Sequence, residues 1–262
     1  MKKIKAAAVQ MNSGKDLKKN LETMLDFVSS SAKQEAEIIV FPEYCFYRGA
    51  HEGLPAAADF VRKKALPALN SYAEKYSVCI VAGSAPETIR GGKKFYNTSF
   101  VLRGKQKSVK YRKIHLFRAL TDKKINESNI YEPGKKNSVF PFKRHRIGQA
   151  LCFDLRFSSL FEKLSGAGAE AVAMPSDFTA FTGKAHWKTL VRARSIEWRI
   201  FMISPNQWGV NPSTLVKSYG HSMITDPWGN VLAEAPERGN RLLLAELDFD
   251  LQKRVRRRIL MG

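Results

Sequence analysis

The sequence predicts an α/β protein built in layers, and three observations carry that reading. Short apolar runs alternate with stretches whose apolar residues recur at helical spacing. The 262 residues are 44% hydrophobic, enough for a sizeable core, and no repeat, low-complexity stretch or linker breaks the pattern. Ile4 to Met11 reads as a strand. Asp16 stands where it can cap a helix whose apolar positions Leu17, Leu21, Met24 or Leu25, and Val28 fall three or four residues apart. Glu37 to Phe41 reads as a buried strand stopped by Pro42, Ala56 to Tyr76 as a helix interrupted near Pro67, and Val78 to Ala82 as a further strand. Thr98 to Leu102 and Val109 to Tyr111 flank Arg103-Gly104-Lys105 as a hairpin. His115 to Gly134 is polar and irregular, a length at which loops are often functional. A strand at Ile147 to Cys152, a helix from Ser158, a strand at Ala171 to Met174, a helix at Ala185 to Arg199 and a strand at Phe201 to Ser204 continue the alternation. The chain closes with a hairpin turning at Asp226 to Asn230, a strand at Leu242 to Leu247 and a basic helical tail; one domain over residues 1–262 is expected.

Charge narrows the functional classes. Lys plus Arg number 44 against 24 Asp plus Glu, a net +20. Such a field attracts polyanions, but the basic residues are spread along the chain, and no zinc-finger spacing, RNA-binding strand motif or basic zipper accompanies them. The balance suits the solvated surface of an enzyme that handles anions, with no specific nucleic-acid partner. Apolar runs such as Ile38 to Pro42 fall far short of the ~20 residues that span a bilayer, and the basic start of the chain lacks a signal-type apolar segment. No membrane association is therefore expected. Cys45, Cys79 and Cys152 make an odd count without a CxxC pair, which fits a reducing compartment, by default the cytoplasm. HExxH, GxGxxG and GxxxxGK[ST] patterns are absent, so no metal or nucleotide cofactor is expected.

Three segments carry chemistry. Phe41-Pro42-Glu43 puts a carboxylate directly after an apolar strand, where ligands gather in open α/β sheets and apolar walls raise a carboxyl pKa toward general-base values. Tyr111-Arg112-Lys113-Ile114-His115 closes the hairpin with a lysine that could face an oxyanion or pair with a carboxylate. In Leu151-Cys152-Phe153-Asp154 a thiol ends a strand at a turn into a helix, where orphan backbone N–H groups lower its pKa and can bind an oxyanion. Taken singly, each has an ordinary explanation: a surface glutamate, one lysine among many, a buried structural cysteine. Cys79, inside an apolar strand, fits that last description. None of the five histidines sits in a context that singles out a base, although His115 lies two residues past Lys113.

Together, FPEYCF at Glu43, YRKIHLF at Lys113 and LCFDLRF at Cys152 resemble, in order, the three signature segments of the nitrilase superfamily, the carbon–nitrogen hydrolases. Glu127-Ser128 through Pro133-Gly134 is similar to a fourth family segment. The stretches Thr182 to Trp187, Arg192 to Glu197, Ser218 to Met223 and Asp226 to Gly229 resemble the branch of deaminated glutathione amidases and ω-amidases. The resemblance implies a four-layer α-β-β-α sandwich, paired into homodimers through helices. It implies Cys152 as nucleophile, Glu43 as general base and then acid, Lys113 with the Phe153 amide as stabilisers of the tetrahedral intermediate, and Glu127 as the group orienting Lys113 or the substrate amide. The expected activity is hydrolysis of a linear amide on a small carboxylate-bearing substrate through a thioester, without a cofactor. Hydrolysis of N-carbamoyl compounds or nitriles is the alternative within the superfamily, and an inactive basic binding protein the alternative outside it. Phe153 and Ser158-Ser159 depart from the family pattern where Tyr and Pro-Glu are common. So does the loop Arg118 to Lys123, where altered substrate contacts are expected; family members often continue past a tail like that ending at Gly262, so dimer contacts made by such an extension are expected to be missing.

Overall fold

Along β1 (Lys3–Gln10), Ile4, Ala6 and Ala8 face one way and Ala7 and Val9 the other, and all five are buried. A strand buried on both faces requires a packed layer on each side. The computed structural model, which describes residues 3–120 and 124–260, supplies those layers. From β1 the chain passes through α1 (Leu17–Lys33) into β2 (Ile38–Val40), then through α2 (Leu54–Phe60) and α3 (Leu66–Lys75) into β3 (Cys79–Thr88), β4 (Phe95–Arg103) and β5 (Gln106–Arg112). A small hairpin, β6 (Arg118–Leu120) and β7 (Lys124–Asn126), precedes β8 (Ser138–Phe142), β9 (His145–Gln149), α4 (Ser158–Gly166), β10 (Ala171–Ala173), α5 (Ala180–Trp198) and β11 (Phe201–Ser204). A second small hairpin, β12 (Trp208–Val210) and β13 (Lys217–Tyr219), leads to β14 (Met223–Thr225), β15 (Val231–Glu234), β16 (Arg241–Asp248) and α6 (Phe249–Arg258).

Two six-stranded sheets result, in the orders β16-β1-β2-β3-β4-β5 and β15-β14-β11-β10-β9-β8. Met24, Val28 and Leu69 of the first helices pack on Ala7, Val9, Ile39 and Ile80 of one sheet. Leu160, Phe161, Trp187 and Val191 pack on Val172 and Met202 of the other. Between the sheets lie Ala6, Val40, Cys79 and Val81 from one side and Ile147, Ala171, Phe201 and Ile203 from the other. The architecture is thus α-β-β-α in four layers, the central strands dividing their side chains between two cores by simple alternation. Burying each of the larger residues contributes about 1.5–3 kcal/mol.

Local chemistry explains most boundaries. Asp16 caps α1 by accepting from the amides of Lys18 and Lys19, each at 3.0 Å. The break expected near Pro67 is a π turn over Val61–Ala65, because Pro67 has no N–H to offer the carbonyl of Lys63. Two expectations need correction. The strand expected to run to Cys152 ends at Gln149, since the Cys152 amide turns away to the Pro175 carbonyl at 2.9 Å. The helix expected from Ala185 starts five residues earlier, with Thr179 as its cap; Gly183 sits inside it because the Tyr219 ring leaves no room for a side chain. Residues 121–123, part of the loop expected to alter substrate contacts, lie outside the described residues.

Gly83 sets how closely the chain after β2 approaches β3. A Cβ there would overlap the carbonyl oxygens of Phe41 and Pro42. Gly83→Ala is expected to lower stability by about 3 kcal/mol, read as a lower urea midpoint at unchanged slope.

Candidate active site

The FPE segment leaves β2 with the Phe41 amide still bonded to the Val81 carbonyl at 2.9 Å. Tyr44 then takes a left-handed backbone, φ +58°, and its amide donates to Ser84 Oγ at 3.0 Å. This leaves Glu43 between the strand ends, 1% exposed. Lys113 follows β5, its amide bonded to the Asn97 carbonyl at 2.9 Å and its own carbonyl to the Gly134 amide at 2.7 Å. Gly134 is required because its Cα lies against the Arg112 carbonyl. Cys152 opens a 3₁₀ turn, Cys152–Arg156, with φ +46°. Strained backbone of this kind clusters at functional sites, and here two of the converging residues or their neighbours show it.

The side chains meet. Lys113 Nζ donates to Glu43 Oε1 at 2.8 Å and to Glu127 at 2.9 Å. Asn97 Nδ2 adds a second donor to Glu43 Oε1 at 2.9 Å. Glu127 is fixed in turn by the Tyr44 hydroxyl at 2.5 Å and the Phe117 amide at 2.7 Å. The Cys152 sulfur lies beside the Glu43 carboxylate and the Asp177 backbone, close enough for both to act on its ionisation. Glu43, Lys113, Glu127 and Cys152 therefore form one contiguous buried cluster. Phe153 lies beside it on the pocket wall, its ring edge-on to Phe117 at 5.1 Å and to Phe157 at 5.4 Å.

Two carboxylates and one ammonium share this dry site. Burial pushes the Glu43 carboxyl up to about 7, with the Lys113 charge opposing and the Glu127 charge assisting. Desolvation disfavours the Lys113 ammonium, but Glu127 and Glu43 outweigh it and hold its pKa well above the usual lysine value. The Cys152 thiol is pushed up, by burial first and the Glu43 charge second, against the Lys113 charge and the Asp177 amide. This reverses the direction expected from the turn alone: the N–H contact exists, but depth of burial dominates. The resting sulfur is a thiol beside a carboxyl that burial raises to about 7.

Glu43, Glu127 and Cys152 of the cluster line a pocket of about 390 Å³, with Lys113 buried against them; its wall includes Tyr44, Arg48, Phe117, Arg156 and Asp177. Arg48, 2% exposed, ties its own loop to the others: it donates to Asn12 Oδ1 at 3.0 Å and Ser218 Oγ at 2.7 Å, and its Nε lies 3.2 Å from Asp177 Oδ2. Arg156 stands under the Phe153 and Phe178 rings, 5.8 and 5.5 Å from their centroids, and donates to His186 at 3.3 Å. Among the described residues no carboxylate pairs with it. Asn97, Arg48 and Asp177 escaped the sequence reading. A polar residue in the apolar stretch Phe95-Tyr96-Asn97 was the one available signal; Arg48 was hidden among 44 cations. Cys45 and Cys79 lie in the two cores flanking the first sheet, and burial drives each thiol up to about 12. His115 turns to Asp154 and Phe157 rather than lining the pocket.

A family model described as carbon-nitrogen hydrolase matches residues 5–257. The chain is 32% identical over 269 residues to a deaminated glutathione amidase of Synechocystis, covering 99% of this chain and 97% of that protein. It is 31% identical over 259 residues to the omega-amidase NIT2 of Homo sapiens, covering 97% and 91%. The crystal structure of the C. elegans NitFhit protein superposes with a TM-score of 0.90 at 27% identity; the match takes in 98% of this chain but only 64% of that one. A match over nearly the whole chain, the sandwich fold and the relatives agree: the chain belongs to the carbon-nitrogen hydrolase family.

Proposed function

We propose that the chain is a thiol amidase that hydrolyses a linear amide of a small carboxylate-bearing substrate through a thioester. The observation that carries this reading is the convergence of Cys152, Lys113 and Glu43: the thiol lines the pocket beside a Glu43 carboxyl that Lys113 holds at 2.8 Å and that burial raises to about 7. A free thiol is only a few per cent thiolate at neutrality, and this one is less so. Glu43 takes its proton as the sulfur bonds to the amide carbon. The carbonyl oxygen becomes an oxyanion facing the Lys113 ammonium, with the Phe153 amide as the second donor. Glu43 gives the proton to the departing nitrogen, the C–N bond breaks, and ammonia or an amine leaves a thioester on Cys152. Glu43 then draws a proton from water, the resulting oxygen nucleophile attacks the thioester, and the acid departs as the proton returns to sulfur. Glu127 holds Lys113 in place throughout.

The Arg156 guanidinium on the pocket wall, which no carboxylate among the described residues neutralises, supports a substrate carboxylate, and the names of the deaminated glutathione amidase and omega-amidase relatives point to the same class of amide. We place the enzyme in the cytoplasm, where its three buried free thiols stay reduced. We further assign it a homodimer through the outer face of α5 and the neighbouring turn, where Ile196 and Trp228 are 50% and 53% exposed and Gly229 packs on Ile196.

An ammonia-release screen over ω-keto-amides, deaminated glutathione, simple amides, carbamoyl compounds and nitriles should give turnover on carboxylate-bearing amides that Cys152→Ala abolishes. Equal behaviour of the two proteins on every compound would refute the thiol mechanism. Glu43→Gln should fold yet lose on the order of 10³-fold or more in kcat, and Lys113→Met about 10²–10³-fold in kcat with little change in KM. Glu43 acts deprotonated and its carboxyl titrates at about 7, so kcat/KM should fall as pH drops below 7 and level off above it. A profile flat from pH 5 to 8 would place the base elsewhere. Light scattering should give twice the chain mass, shifting to the monomer in Trp228→Glu.

A further inference from the structure

Asp154 is completely buried, yet it belongs to neither the reacting cluster nor the pocket wall. Its carboxylate accepts four hydrogen bonds: Oδ2 from the Leu151 amide at 2.9 Å and the Tyr111 hydroxyl at 2.6 Å, and Oδ1 from the His115 amide at 3.0 Å and the His115 ring Nδ1 at 2.7 Å. A carboxylate has about four acceptor sites, so all are filled. The partners are informative. Tyr111 and His115 bracket Lys113, whereas Leu151 immediately precedes Cys152. The Cys152 and Lys113 segments reach the site from different sheets, β9 and β5, and this one side chain joins them. It also accounts for His115: with Nδ1–H committed to Asp154 and the ring stacked on Phe157 at 3.7 Å and 6°, the imidazole is a strut between the two segments.

Resting on the thiol-amidase reading above, we propose that Asp154 and His115 are positioning residues that set the Lys113 ammonium opposite the Cys152 sulfur. A shift of about 1 Å at a reacting centre costs on the order of 10²-fold in rate, and binding groups elsewhere in the pocket are untouched by such a shift. The effect therefore belongs in kcat rather than KM.

Three variants test this in the ammonia-release assay. His115→Phe keeps a ring to stack on Phe157 but removes the donor to Asp154; kcat should fall about 10²-fold with KM within about threefold of wild type. His115→Asn restores an N–H at the Nδ1 position and should recover most of that loss. Asp154→Asn, which turns a donor toward groups that are themselves donors, should lose at least as much as His115→Phe. If Asp154→Asn does not fold, the two His115 variants decide alone. A wild-type kcat in His115→Phe, equal impairment of the Phe and Asn variants, or a loss confined to KM would overturn the assignment. Cys152→Ala in the same assay separates the two readings: turnover there defeats the thiol mechanism, whereas an inactive Cys152→Ala beside a fully active His115→Phe defeats only the positioning role.

Discussion

The structure depends on one ammonium held between two carboxylates. Lys113 bridges Glu43 and Glu127 at 2.8 and 2.9 Å with its amine fully buried. Three charged groups taken out of water cost several kcal/mol each unless paired and hydrogen-bonded, and every one of these is: Asn97 supplements Glu43, and Tyr44 with Phe117 supplements Glu127. The arithmetic of charge still leaves one negative in excess. That surplus, with burial, holds Glu43 near 7, within reach of the thiol beside it. A second lysine in place of Asn97 would drop Glu43 well below neutrality, and the same geometry would then hold a carboxylate too weak to serve as a base.

The fold exists, at this end, to bring five loops to one point. β2, β5 and β9 deliver Glu43, Lys113 and Cys152, and the segments after β10 and β11 bring Asp177 and Asn206. None of these loops is long, and each is pinned by contacts to a neighbour rather than by its own structure: Arg48 to Asp177 and Ser218, Gln207 to the Glu43 carbonyl at 2.9 Å, Asn206 to the Phe178 amide at 2.9 Å. The two left-handed residues, Tyr44 and Cys152, are sustained by this network, since isolated turns would relax them.

Much of this was legible in the sequence. Glu43, Lys113, Glu127 and Cys152 each stood in a short contiguous motif, and short apolar runs along β1, β2, β3, β10 and β11 announced strands. What stayed hidden depended on partners distant in the chain. Asp177 and Arg48 are 129 residues apart in numbering and neither carries a local signal. The start of α5 depends on Tyr219, whose ring packs against Gly183 from a distant segment. Three-residue strands such as β12 and β13 are too short to show a period, and Pro141 disguised β8, which is an edge strand where a missing N–H is tolerated. The direction of the Cys152 pKa was misjudged for a related reason: a turn is visible in sequence, whereas depth below the surface is not.

The resting protonation of that sulfur has a consequence beyond turnover. Peroxides and other oxidants attack thiolates, and their selectivity among cysteines follows thiolate character and exposure. Cys152 is 8% exposed and kept protonated by its surroundings, so it meets neither condition until a carbonyl arrives to receive it. In an enzyme built this way, burial and protonation together slow oxidation of the sulfur.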